Sequence, residues 1–267
     1  MAQFDSNRQN ASNNPSFVGK LASAVQSDEL CLHFQPRFEF NQNQAVTLEA
    51  LLRWQRPDVG LLYPEAFISV AEDNALIFQL DLWAFERCCH DLVWLRDNLD
   101  ENIRLAVNFS VLSCESVYFA QKIIELCKKY GILLSDFIIE ISSSSNMSDI
   151  RKLKAFCETL GNHGASFCVD DFGVGHTNLK ILEQINIDHI KIDRSFVSNI
   201  GISDRSETII KHILRLANDL GISATGEGIE DTTQLKFLRQ NGCQQAQGFY
   251  LGRPTAIDRL NESLLCR

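Results

Sequence analysis

The sequence predicts an α/β fold, a modified (β/α)8 TIM-like barrel whose first strand is antiparallel to its neighbour. Three observations predict it. Short β-type runs alternate with helical patterns along nearly the whole chain. The first two runs are joined by Glu39-Phe40-Asn41-Gln42-Asn43-Gln44, too short for a crossover helix, so that pair reads as a hairpin. The length, 267 residues, suits one large domain of barrel size. An open doubly wound sheet competes, but it would want a Gly-rich phosphate loop after its first strand. Neither G-x-G-x-x-G nor G-x-x-x-x-G-K-[ST] occurs.

The elements follow in order. Residues 1–16 are polar, Asn/Ser-rich and without periodicity, which predicts a disordered tail ahead of a barrel domain over 17–267. Runs rich in Val, Ile, Leu and Phe predict strands over 31–38, 45–54, 103–110, 137–142, 166–172, 189–193, 222–229 and 245–252. Apolar residues recurring at three- and four-residue intervals predict helices over 64–72, 76–95, 115–130, 150–162, 177–184, 205–220 and 232–240.

Composition narrows the function. Hydrophobic residues make 45% and charged residues 22%, with 14 Gly and 5 Pro, which excludes collagen-like and low-complexity chains. The balance of 25 Lys+Arg against 34 Asp+Glu gives −9, which argues against duplex nucleic acid and anionic membranes as partners. The same excess offers oxygen ligands for hard cations. No run reaches 18 apolar residues and the N-terminus has no basic start or apolar core, so no membrane insertion and a cytoplasmic location are expected. Nine cysteines without a C-x-x-C pair read as reduced core thiols. Cys88-Cys89-His90 reads as helix filler, since helical neighbours point about 100° apart.

Barrel sites form at the C-terminal ends of the strands. Glu49, Asn108, Glu140, Asp170 with Asp171, Lys191, Glu227 and Gln247 each fall within or at the end of a different predicted strand, where a doubly buried strand should be almost wholly apolar. Singly, each reads as a surface charge or a satisfied core amide. Together at one mouth they would carry a large desolvation cost unless a cation sat among them. Carboxylates and an amide, without Cys or paired His, point to Mg²⁺ or Mn²⁺. Adjacent aspartates suit two ions activating water against a phosphate ester, and a lysine among carboxylates can hold that water.

These residues, with Gln35-Pro36, Leu52-Arg53-Trp54, Phe109-Ser110, Ile141, Phe172-Gly173, Ile192-Asp193, Gly228-Ile229-Glu230 and Gly248-Phe249, stand in the order and spacing of a known family. From about Phe17 to Leu260 the chain resembles the EAL-domain cyclic di-GMP phosphodiesterases. The resemblance implies a barrel with an antiparallel first strand and hydrolysis of cyclic di-GMP to linear pGpG. It implies Glu49, Asn108, Glu140 and Asp170 as ligands of one metal, and Asp170 and Asp171 as ligands of a second. Lys191 and Glu227 would flank the attacking water, Glu227 as general base or water-mediated ligand, with Glu230 and Gln247 fixing these positions. Gln35, Leu52, Arg53 and Asp193 would contact substrate. A symmetric homodimer through 176–184 and a separate regulatory protein are further expectations.

The chain departs from the family pattern at Ser142 and Ser143, where Thr and a second glutamate are usual, and at Val174, His176, Thr177 and Asn178. A shorter side chain at 143 would hold the loop after Asp171 less firmly, which implies a competent or slow enzyme. Arg37 and Gly226 are smaller departures. The competing function is a binding module that senses cyclic di-GMP, or works through protein contacts, without hydrolysis. A Ser or Cys hydrolase is disfavoured, because G-x-S-x-G is absent and no His joins the ligand set.

Overall fold

The eight expected strands close into one barrel. The structure is a computed structural model and describes residues 15–41, 47–142, 149–174 and 178–261. The barrel strands are β1 (Leu30–Glu39), β2 (Thr47–Arg56), β4 (Arg104–Phe109), β5 (Phe137–Ser142), β6 (Ser166–Phe172), β7 (His189–Ile192), β8 (Ser223–Gly226) and β9 (Gln245–Ala246). From β2 through β9 neighbours run parallel, whereas β1 is antiparallel to β2 on one side and to β9 on the other, closing the ring. Two short additions absent from the sequence expectation extend the sheet, β3 (Gly60–Leu62) on β2 and β10 (Thr255–Ala256) on β1.

The reversal of β1 has a plain cause. The few residues after Glu39 cannot span a barrel, so the chain turns straight back and pairs Leu30↔Trp54 through Arg37↔Thr47. Elsewhere a helix returns the chain between parallel strands. α3 (Ile77–Asn98), α5 (Val117–Tyr130), α6 (Ile150–Gly161) and α9 (Asp204–Asp219) lay their apolar stripes on the outside of the barrel, where Phe85, Phe119, Phe156 and Leu214 pack against strand residues such as Phe109, Phe137, Phe167 and Ile190. Serine and aspartate side chains set several helix starts: Ser116 accepts from Phe119 N–H, Asp149 from Arg151 N–H and Asp231 from Thr233 N–H.

Some boundaries differ from the sequence expectation. The expected helix over 64–72 divides into a 3-10 turn (Pro64–Ala66) and α2 (Ile68–Asp73). The expected strands 222–229 and 245–252 end early, at Gly226 and Ala246. Gly228 has φ +66°, a left-handed conformation that turns the chain away from extended backbone two residues after the strand ends. A helix not expected at all, α1 (Pro15–Ala24), packs on the barrel wall. Phe17 meets Trp54 edge-on at 5.3 Å, and Leu21 and Ala24 are fully buried beside it. Eight free cysteines lie among the described residues, seven of them buried, in keeping with reduced core thiols. Among the described residues no helix is long and apolar enough to cross a membrane.

Candidate functional site

Parallel strands that point the same way deliver their C-terminal residues to one rim, and side-chain alternation sends every second residue inward. Register then decides who meets whom. Glu49 sits across from Gln35, Asn108 beside Glu140, and Asp170 beside Ser142. Asp171 would ordinarily face away from its neighbour Asp170. Its φ of +51° and a register irregularity between Val169 and Phe172 re-aim it, so oxygen atoms of Asp170, Asp171 and Glu227 lie within 4.8 Å of one another. A left-handed backbone at a non-glycine residue stores strain that the surrounding structure must hold. Here Asp171 N–H donates to Asp170 Oδ1 at 2.8 Å.

At the centre stands Lys191, 1% exposed. Its ammonium reaches Glu227 Oε1 at 2.6 Å, Glu140 Oε2 at 2.8 Å, Glu49 Oε2 at 3.2 Å and Asp170 Oδ1 at 3.3 Å. Burial alone would lower its pKa, but Asp170, Glu140, Glu227 and Glu49 outweigh burial and keep it charged, well above its ordinary value. Glu49 is further held by Asn108 Nδ2 at 2.8 Å and Gln247 Nε2 at 2.6 Å. Burial works against its charge, yet Lys191, Arg37 and these two amides bring its pKa down to about 2.

The other carboxylates show too little positive charge to go round. Burial, opposed by Lys191, lifts Glu140 to about 6. Burial, with Asp170 and Asp193 adding to it, lifts Asp171 to about 6. Burial also pushes Glu227 well above the usual carboxylate range. Among the described residues, the five carboxylates of Glu49, Glu140, Asp170, Asp171 and Glu227 are gathered with two cations, Lys191 and Arg37, an excess that divalent cations would relieve. The donors are carboxylate and amide oxygens without thiolate or imidazole, a set that fits Mg²⁺ or Mn²⁺. The same values set a pH dependence. Metal uptake must displace protons from Glu140 and Asp171, so Mn²⁺ affinity should fall as pH drops through about 6. Calorimetric titrations at pH 5.5 and 7.5 check this; equal affinities would contradict it.

Not every expected residue joins the ring. Gln35 does, accepting from Gln247 Nε2 at 3.3 Å and donating to the Gly252 carbonyl at 2.9 Å. Arg53, 4% exposed, lies 4.8 Å from the Tyr63 ring centre and donates Nη1 to the Leu52 carbonyl at 2.8 Å. Asp193 stands beside Asp171 and accepts from Ser195 N–H at 2.9 Å. Leu52 does not reach the ring; it packs among the apolar core residues. Glu230 is exposed, and its backbone N–H donates to Gln234 Oε1 at 2.7 Å. Ser143, His176 and Thr177 lie outside the described residues, as does the side chain of Asn178, whereas Val174 N–H closes the turn onto the Asp171 carbonyl at 3.1 Å. Sequence reasoning missed Arg37, buried beneath the ring and ion-paired with Glu140, and Tyr63 under Arg53.

The loop carrying Gln247 is fixed by contact of backbone on backbone. A Cβ built on Gly248 would stand 2.2 Å from both N and O of Ile229, atoms that cannot move aside without dragging the Glu227 segment. Gly248→Ala should cost about 3 kcal/mol, lowering the unfolding midpoint by roughly 6–12 °C. An unchanged midpoint would show that this loop has slack.

Comparison with known proteins agrees with this geometry. A family model described as EAL domain matches residues 18–254. The cyclic di-GMP phosphodiesterase NbdA of Pseudomonas aeruginosa is 34% identical over 245 residues, covering 92% of this chain and 31% of its own. The chain spans about a third of the length of the curated relatives it matches. Among solved structures, the PaMucR phosphodiesterase in complex with c-di-GMP superposes with TM-score 0.85 at 30% identity, covering 91% of this chain and 99% of that one. The EAL enzyme Bd1971 in its cAMP- and cyclic-di-GMP-bound form gives TM-score 0.87 at 26% identity, covering 91% of this chain and 67% of that one.

Proposed function

The chain belongs to the EAL domain family, and from that premise we propose that it hydrolyses cyclic di-GMP to linear pGpG in a metal-dependent reaction at the barrel mouth. The observation that carries the reading is the convergence of Glu49, Glu140, Asp170 and Glu227 on one buried lysine, with Asn108 bonded to Glu49 and Asp171 clustered with Asp170 and Glu227.

Glu49, Asn108, Glu140 and Asp170 would hold one Mg²⁺ or Mn²⁺, and Asp170 with Asp171 a second. When bound, the ions would neutralise the phosphodiester and lower the pKa of the attacking water. The chain's own residues do the rest. Arg53 offers a planar fork for a phosphate oxygen or a guanine edge, its plane steadied by the Tyr63 ring and its Nε without a partner among the described residues. Gln35, Leu52 and Asp193 would make further contacts to the nucleotide. Lys191 orients Glu227, and Glu227 accepts the proton of the attacking water; burial makes it a better acceptor than a surface carboxylate. Gln247 holds Glu49 at the rim.

A receptor that binds without hydrolysing is the other reading. Catalysis is the better supported of the two, because the chain carries every side chain proposed to hold metal, Glu49, Asn108, Glu140, Asp170 and Asp171. A symmetric homodimer through 176–184, where Leu179 is 66% exposed, and a cytoplasmic location complete the proposal; light scattering at twice the chain mass would support the dimer. Incubation of the full chain with cyclic di-GMP, with Mg²⁺, Mn²⁺ or EDTA, followed by chromatography, tests the reaction. Linear pGpG only with metal supports it; tight binding with no product in either metal would establish the receptor instead.

A further inference from the structure

Arg37 lies on the one barrel strand that runs against the others. Because β1 descends where its neighbours rise, residues after Gln35 sit deeper in the barrel: Gln35 pairs with Glu49, Arg37 with Thr47. Alternation puts Gln35 and Arg37 on the same inward face. The guanidinium therefore enters the ring from beneath, on the side away from the mouth.

There it is 1% exposed and grips two partners. Nη2 donates to Glu140 Oε1 in an ion pair, and Nε donates to Gln247 Oε1 at 3.3 Å. Gln247 in turn donates to Glu49 Oε2 at 2.6 Å. With Lys191 on Glu140 Oε2, the two oxygens of Glu140 are held by two different cations. A guanidinium presents its donors in a fixed plane, so it sets direction as well as charge.

Simple stabilisation explains this arrangement poorly. A buried ion pair is commonly replaced by apolar residues without loss, and Arg37 also carries Nη1 buried with no hydrogen-bond partner among the described residues. We propose that Arg37 is a positioning residue of the catalytic centre, orienting Glu140 directly and Glu49 through Gln247 so that divalent cations bind at the mouth. The inference rests on the metal-dependent reading above.

The test is calorimetric titration of the metal-stripped full chain with Mn²⁺ alone, on wild type, Arg37→Met and Arg37→Lys, with unfolding midpoints alongside. Arg37→Met should bind Mn²⁺ at least about tenfold more weakly, the size of effect expected when a group that orients a metal ligand is lost. Its kcat at saturating Mn²⁺ should return to within a few-fold of wild type, a split a merely structural role would not give. Arg37→Lys keeps the charge but cannot serve both partners, so it too should bind more weakly than wild type. If Arg37→Met fails to fold, Arg37→Lys decides. A wild-type isotherm in either folded variant overturns the positioning role alone. Absence of Mn²⁺ uptake by wild type overturns the phosphodiesterase reading and this inference with it.

Discussion

Asp170→Asn is expected to lower hydrolysis of cyclic di-GMP by about 1,000-fold or more, toward background, while the protein stays folded. Asp170 is the residue shared by both proposed metal positions, and its oxygens lie within the cluster it forms with Asp171 and Glu227. An asparagine keeps the shape and the contact to Asp171 N–H but removes the charge that holds a hard cation. Glu49→Gln should act the same way from the other side of the ring, because Lys191 and Arg37 keep Glu49 charged despite its burial, its pKa held to about 2. Initial rates across a Mn²⁺ series measure both. Wild-type-like turnover in either variant would remove the ligand assignment.

Lys191→Met is expected to lower kcat by about 100- to 10,000-fold with cyclic di-GMP affinity changed only a few-fold, since the lysine touches carboxylates, Glu227 among them, rather than Arg53, the residue proposed to contact the nucleotide. It should also have a second signature. Removing the one ammonium among four buried or half-buried carboxylates leaves charge uncompensated, at a cost of about 3–5 kcal/mol. That loss should show as a lower unfolding midpoint in EDTA and shrink when Mn²⁺ supplies the missing positive charge. A variant with weakened nucleotide binding and normal kcat would mean the lysine had been given the wrong task.

Much of the site was legible because polar residues interrupt strands that are otherwise apolar. In RLAVNF, FIIEIS and HIKI the polar residues Asn108, Glu140 and Lys191 point into the barrel, and strand order brings them together. The same alternation rule, applied more strictly, separates residues that the sequence reading left together. Glu49 and Arg53 share a face and Leu52 does not, which is why Leu52 packs in the core. Gln35 and Arg37 share a face, so Arg37 was available as an inward cation, but whether it meets Glu140 depends on barrel closure, which no local pattern encodes. Glu230 sits in an irregular segment with no periodicity to place it. The outer helix α1 carries Phe17, Leu21 and Ala24 at spacings of four and three, a signal masked by the polar stretch before it. The aspartate pair was visible, but its working geometry comes from one left-handed residue that sequence alone does not announce.

If this ring of carboxylates is a two-metal site for phosphodiester hydrolysis, anomalous diffraction from crystals grown with Mn²⁺ and cyclic di-GMP should show two peaks at the barrel mouth. One is expected among Glu49, Asn108, Glu140 and Asp170 and one against Asp170 and Asp171, with nucleotide density beside Arg53. Well-ordered nucleotide with no manganese at the ring, Lys191 still holding all four carboxylates, would contradict the two-metal assignment.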